Sequence, residues 1–445
     1  MSLLTASDKA LWRLALPMIF SNITVPLLGL VDTAVIGHLD SPVYLGGVAI
    51  GATATSFLFM LLLFLRMSTT GLTAQAYGAK DPLRLARALV QPLILALGAG
   101  ALIVLFRTPL IDLALNIVGG SEAVLEQARR FLEIRWLSAP ASLANLVLLG
   151  WLLGVQYARA PVILLVVGNL LNIVLDLWLV MGLHMNVRGA ALATAVAEYG
   201  TFIIGLWMVW RVLAMRGVSL VMLKTAWRGN IRKLLALNRD IMLRSLLLQL
   251  CFGALTVFGA RLGPEIVAVN AVLMTLLTFT AYALDGFAYA VEAHSGQAYG
   301  ARESGQLREV WRAACRQSGL VALAFALMYA CFGSDIIALL TSLPALRELA
   351  GHYLIWQVIL PVVGVWCYLL DGMFIGATRG AEMRNSMAVA AAGFGLTLLT
   401  LPYLGNHGLW LALAVFLSLR GLSLAFIWHR HWQNNTWLPS RHDIS

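Results

Sequence analysis

Charge is scarce in this chain. Only 12% of its 445 residues are Asp, Glu, Lys or Arg, while 60% are apolar. A soluble domain carries about 25% charged residues because its surface must face water, so a water-soluble globular fold is excluded. With a mean hydropathy of +0.83, the chain reads as an integral membrane protein. Its length then counts spans rather than soluble domains, at about 20 apolar residues per crossing.

Cysteine is sparse too. Cys251, Cys315, Cys331 and Cys367 form no CxxC pair and no metal-ligand spacing with His, so they read as small reduced packing residues. Nucleotide-binding sequence is missing. Gly46-Gly47-Val48-Ala49-Ile50-Gly51 is glycine-rich but lacks the Lys-Ser/Thr ending that holds phosphate, which argues against a self-contained ATP-driven pump. No nucleophile or metal motif occurs, and His294 stands alone; an intramembrane enzyme would need more. Met1–Ala10 lack the charged start and cleavage site of a secretory signal, so the first apolar run is expected to stay as a span.

What the chain has is repetition. Gln75-Ala76-Tyr77-Gly78-Ala79-Lys80 returns 222 residues later as Gln297-Ala298-Tyr299-Gly300-Ala301-Arg302. The same offset carries Gly37 onto Gly259, Ala49 onto Ala271 and Gly154 onto Gly376, and Pro140 meets Pro361 at nearly that spacing. Two homologous halves follow, a known signature of secondary transporters.

Twelve apolar runs can be read: Leu14–Ile36, Val48–Thr70, Ala88–Phe106, Trp136–Leu153, Pro161–Met181, Ala190–Trp210, Leu246–Leu262, Val267–Tyr289, Ala313–Phe332, Ile355–Ile375, Met387–Tyr403 and Leu409–Ile427. They are too long, and too little alternating, for barrel strands. The net charge of +10 lies in the connections rather than on one aromatic-laced face, so it reads as positive-inside bias and not as a nucleic-acid surface. Lys80, Arg84, Arg87, Arg159, Arg302, Arg308, Arg379 and Arg384 mark one side, and the central connection from Arg211 to Arg244 adds more. Both termini are therefore expected in the cytoplasm. The third connection is the exception, where Arg107, Arg129 and Arg130 are offset by Asp112, Glu122 and Glu126. An even number of spans per half makes the repeats parallel. The expected domains are a six-helix bundle over 1–215, a linker over 216–240 and a second bundle over 241–445.

Ionisable groups inside a bilayer cost several kcal/mol and are functional candidates by default. Asp32 comes late in the first span, after Pro26, which should kink the helix by denying Asn22 its hydrogen bond. A carboxylate there could carry a proton, or simply reach water at the span's outer end. Asn169, Asn172 and Asp176, at i, i+3 and i+7, share one face of the fifth span. The second half does not repeat them: Ala254 falls opposite Asp32 and Leu398 opposite Asp176. It has its own set, Asp371 in the tenth span and, on one face of the eighth, Asp285 and Glu292; these last two could bind a cation or substrate or pair with Arg66 or Arg420. Glu198 reads as a buried partner.

The repeated loop, Val31-Asp32-Thr33 and Asn172…Asp176 resemble the multidrug and toxic compound extrusion (MATE) transporters. Leu284-Asp285-Gly286-Phe287 and Leu370-Asp371-Gly372…Gly376-Ala377-Thr378-Arg379 are similar to the DNA-damage-inducible F branch of that family. The resemblance covers Leu14 to Ile427. It implies an all-α membrane protein of twelve transmembrane helices in two six-helix bundles, arranged as a V, in a bacterial inner membrane and in the setting of the SOS response. It implies an antiporter that exports amphipathic, often cationic toxic compounds against H⁺ or, less favoured, Na⁺, with no cofactor. The proton site carries over onto Asp32, supported by Asn172 and Asp176. Asn169, Asp285, Glu292 and Asp371 remain candidates for the substrate cleft. The alternatives are a lipid-linked precursor flippase of the same superfamily and, from other classes, an intramembrane enzyme or a structural membrane protein. Membrane lipids are expected partners and nucleic acid is not; oligomeric state is not readable.

Overall fold

A computed structural model describes residues 4–39, 41–229 and 231–439; the side chains of residues 25–34 lie outside that description. Among the described residues the secondary structure is helical, with no strand. The twelve long helices are α1 (Ala6–Gly37), α2 (Pro42–Gly78), α3 (Pro82–Leu105), α4 (Glu122–Gly154), α5 (Ala160–Gly182), α6 (Asn186–Met215), α7 (Ile231–Arg261), α8 (Pro264–Ala301), α9 (Ser304–Leu340), α10 (Pro344–Gly376), α11 (Gly380–Leu404) and α12 (Asn406–Gln433). Helices α2 to α12 are all long and apolar enough to cross a membrane. The twelve apolar runs fall on the twelve helices, overrunning them only at Phe106 and Leu262. Most helices extend well past their apolar run. At 1.5 Å per residue the 38 residues of α8 reach about 57 Å, against about 30 Å of hydrocarbon.

Short helices Arg107–Val118 and Leu220–Thr225 sit in two of the connections. The first explains the charge anomaly of the third connection. There Arg129 pairs with Asp112, and Arg130 meets Glu126 one turn away at 2.8 Å, so two of its three arginines are locally neutralised.

By internal contacts the chain forms two compact units, Phe20–Leu235 and Met1–Ile19 with Ala236–Ser445. The first turns of α1 thus belong with the carboxyl-terminal helices. Leu11, Leu14, Ala15 and Met18 form an apolar stripe at i, i+3, i+4 and i+7, each at most 2% exposed. Trp12 packs edge-on to Phe287 at 4.8 Å and donates to Gln317 at 2.9 Å. His294 hydrogen-bonds the Ala10 carbonyl at 3.1 Å, which gives that isolated histidine a structural partner. Asp8 pairs with Arg316 at 3.1 Å. Burial opposes the Asp8 charge, but the Thr5 N–H and Arg316 hold its carboxyl below the usual range.

The internal repeat is written into the backbone. Lys80 and Arg302 both have positive φ, 54° and 61°, as do Gln156 and Thr378, 62° and 54°; each pair is 222 residues apart. Each closes a helix with a 6→1 bond: Asp81 N–H to the Ala76 carbonyl at 3.2 Å, Glu303 to Ala298 at 3.1 Å, Tyr157 to Leu152 and Arg379 to Phe374 at 2.9 Å. The repeated hexapeptide is therefore a helix C-cap followed by a turn.

Packing repeats as well. A Cβ on Gly150 would meet the Arg66 carbonyl oxygen at 2.7 Å, and one on Gly372 would meet the Ala288 carbonyl oxygen at 2.7 Å. One turn later Gly154 abuts Thr73, and Gly376 abuts Ser295. All these partners are again 222 apart. Two GxxxG ridges, on α4 and α10, let α2 and α8 approach to backbone contact. One difference breaks the symmetry: α2 loosens at Leu62–Leu63, while α8 runs unbroken through the matching Leu284–Asp285.

Candidate functional site

The polar stripe of α5 lies in the unit Phe20–Leu235, against α6. The two helices approach closely because Gly168 faces Thr201 and Gly200 faces Leu171. Their closeness brings the Thr194 hydroxyl of α6 within 3.5 Å of Asn172 Oδ1, while its shorter bond, 3.1 Å, goes back to the Ala190 carbonyl. Asp176 is only 1% exposed, and Asn169 and Asn172 are half-buried. Directly after Asp176 the helix widens into a π-helical turn, Leu177–Gly182, a feature common at functional sites in helices. An amide, a hydroxyl and a buried carboxylate thus share this part of the unit. Such a set can hydrogen-bond a carboxyl group in either protonation state or contribute oxygens to a cation.

The other half of the expected site is Asp32 on α1. Its side chain, like that of Pro26, lies outside the described residues, and so does the expected kink. Residues 20–37 of α1 belong to the same compact unit as α5 and α6. Val35 and Ile36 are buried in one apolar cluster with Val180 of α5 and Val187, Ala190 and Ala191 of α6.

In the carboxyl-terminal unit the structure gathers most of the remaining candidates. Asp371 of α10 is 7% exposed and its Oδ2 accepts from Arg244 of α7 at 2.6 Å and from Arg420 of α12. Arg420 therefore pairs with Asp371. Asp285 of α8 is half-buried, and Glu292, two turns further along the same helix, is 2% exposed. Arg244, Asp371 and Arg420 thus form a buried triad, and Asp285 and Glu292 lie in the same compact unit. Two guanidiniums on one carboxylate more than neutralise it, so a further cation at Asp371 would meet net repulsion.

Sequence reasoning missed three members of these constellations. Thr194 looks like any span threonine; only the Gly168 and Gly200 contacts make it a partner of Asn172. Arg244 was read as part of the cytoplasmic connection. That is corrected: α7 begins at Ile231, and Arg244 lies inside it, 6% exposed. Arg135, beside the fourth run, meets Glu198 of α6 at 2.7 Å, and Ser138 joins them. Glu198 is a partner, as its setting suggested.

Comparisons with known proteins agree with this architecture. The MatE family model matches twice, over residues 17–178 and 241–404, in step with the internal repeat. The chain is 84% identical over 440 residues to "DNA damage-inducible protein F" of Escherichia coli (strain K12), covering 99% of this chain and 96% of the relative. It is 23% identical to "Probable multidrug resistance protein NorM" of Acinetobacter baylyi, over 92% of this chain and 93% of the relative. Among solved structures, a MATE in the bent conformation superposes with a TM-score of 0.85 at 22% identity, covering 97% of this chain and 96% of that one. An outward-facing MATE family transporter superposes at 0.79 and 22% identity, over 98% and 97%. Both show the same twelve-helix fold. The chain is a multi-pass membrane transporter, not an enzyme, and belongs to the MatE family.

Proposed function

We propose that the protein is a proton-coupled antiporter that exports amphipathic, often cationic, toxic compounds by alternating access, with Asp32 as its proton site and Asn172 and Asp176 as supporting groups. The observation that carries this reading is the polar set Asn172, Asp176 and Thr194 in the unit that also contains residues 20–37 of α1. Ile36, one turn after Asp32, is packed with Val180 and Val187. Protonation of a carboxylate within a span removes a charge that is costly wherever it faces no water. Coupling then requires that proton and compound prefer different states of the carrier. Relatives named for multidrug resistance support the substrate class.

Sodium coupling at Asp371 is disfavoured by its two arginine partners. The loops rich in Lys and Arg support cytoplasmic termini in a bacterial inner membrane. The test is efflux of a cationic fluorescent compound from proteoliposomes under an imposed pH gradient and then a Na⁺ gradient. Proton-driven export that disappears in Asp32→Asn supports the reading; full export in Asp32→Asn, or export driven only by Na⁺, overturns it.

A further inference from the structure

Each unit ends in a segment that turns back over its copy of the repeated loop. After α12, Trp437 is 1% exposed and lies edge-on to Tyr299 and Phe374. Arg379 stacks on it at 4.8 Å and donates to the carbonyls of Thr436 and Trp437 at 2.9 Å. Polar groups there are answered by a carboxylate, since Arg379 and His431 both hydrogen-bond Glu382, at 3.2 and 2.8 Å. After α6 the arrangement recurs with different chemistry. Arg216 stacks on Tyr77, the counterpart of Tyr299, at 4.6 Å. Val218 and Ala226 are buried on either side of the short helix Leu220–Thr225, and Gly229 lies against Arg87 and Gln91 of α3.

Here the carboxylate at the start of α3, Asp81, is turned to the backbone N–H groups of Leu83 and Arg84. From Arg216 to Arg228 the chain has three Lys or Arg and no Asp or Glu. Among the described residues, Lys80, Arg87, Lys224 and Arg228 are exposed and make no ion pair. Large apolar groups stand beside them in the open: Val221 is 71% exposed and Trp227 56%, with Leu220 and Met215 similar. Arg228 stacks on Trp227 at 5.0 Å. Unanswered guanidiniums and ammoniums next to an exposed indole and aliphatic side chains suit one environment, the boundary between phosphate headgroups and acyl chains.

We propose that the Arg216–Arg228 segment, seated on the start of α3, is a docking surface for anionic phospholipid headgroups of the leaflet on its own side. Arg87, Lys224 and Arg228 take the phosphate, and Leu220, Val221 and Trp227 enter the acyl boundary. The strap after α12 differs, because Arg379 and His431 there are matched by Glu382 within the protein.

The test uses the full chain in zwitterionic detergent, titrated with short-chain phosphatidylglycerol, and reads the thermal unfolding midpoint. Wild type is expected to gain stability at low lipid concentration, less so at high salt. The R87Q/K224Q/R228Q variant should need on the order of 100-fold more lipid for half the gain, while R87K/R228K keeps the wild-type response. Should the triple variant be less stable without lipid, the charge-retaining variant decides: a lost response there overturns the proposal. A wild-type gain in the triple variant overturns it, as does an equal wild-type gain from phosphatidylcholine or from inorganic phosphate.

Discussion

The crossing of α2 with α4 and that of α8 with α10 are the same structure carrying opposite charges. In each, a GxxxG ridge meets a carbonyl at the same distance and a small hydroxylated residue one to two turns further on, Thr73 or Ser295. Along that column the first unit has Arg66 and Thr70, and the second has Ala288 and Glu292 at the matching positions. Arg66 and Glu292 are 3% and 2% exposed. Backbone proximity is set by what is absent at glycine, so it leaves the neighbouring side chains free to differ. Duplication supplied a symmetric frame, and the polar content of each copy diverged: an amide, hydroxyl and carboxylate set in one, a buried Arg–Asp–Arg triad in the other.

The comparison is broken most severely at the ion pairs. Asp371→Ala would take from the buried Arg244 and Arg420 the carboxylate to which both donate, and thermal unfolding in detergent should show a loss of about 3–5 kcal/mol. The equivalent lesion in the other unit, Glu198→Gln, should cost less, about 1–3 kcal/mol, because Glu198 is 24% exposed and keeps Ser138. Equal losses would show that the two clusters are energetically alike.

Next come the glycines. Gly150→Ala and Gly372→Ala should each destabilise by about 1–3 kcal/mol through overpacking against a carbonyl, and by similar amounts, since both geometries agree. A difference beyond about 1 kcal/mol between them would break the symmetry of the frame. Smaller is Asp8→Asn, which acts on a contact found only in the carboxyl-terminal unit. The folded-state pKa of Asp8 is depressed, so its contribution is present above the unfolded value of about 4 and fades as pH falls through the folded one. The midpoint gap between wild type and variant should therefore be largest near neutrality and vanish in acid, at below about 1 kcal/mol because Arg316 is largely exposed. A gap that grows in acid would contradict the Asp8–Arg316 pair.

The smallest effect is expected at the helix ends. Lys80→Gly and Arg302→Gly relieve a left-handed backbone worth about 1 kcal/mol but add unfolded-state entropy of about 0.4–1 kcal/mol. Near-zero changes of the same sign should appear in both units by denaturant titration.

Much of this was legible in order of residues. Twelve apolar runs gave twelve helices because a span must satisfy its own backbone hydrogen bonds, and the length of the apolar stretch alone demands it. The offset of 222 was readable from one hexapeptide, since a C-cap in the left-handed region restricts sequence locally. The stripe Asn169, Asn172, Asp176 followed from helical period. Thr194, Arg135 and Arg244 were not legible as partners, because each acquires its role from a helix far away in sequence. Arg244 misled for a further reason: helices continue beyond their apolar runs, so a cation near a run's edge can be loop or core.

Composition and spacing by themselves determined class, span number, repeat and the polar face of α5, all of which depend on local hydrogen bonding and on the hydrophobic cost of the bilayer. Tertiary structure alone decided which charges are spent on each other. It gave Asp371 two arginines, gave Glu198 one, placed the start of α1 with the carboxyl-terminal helices, and left Lys224 and Arg228 exposed without an ion pair among the described residues. Those outcomes depend on distances between helices, and the energy of a charge in a protein is governed by what stands within a few ångströms of it.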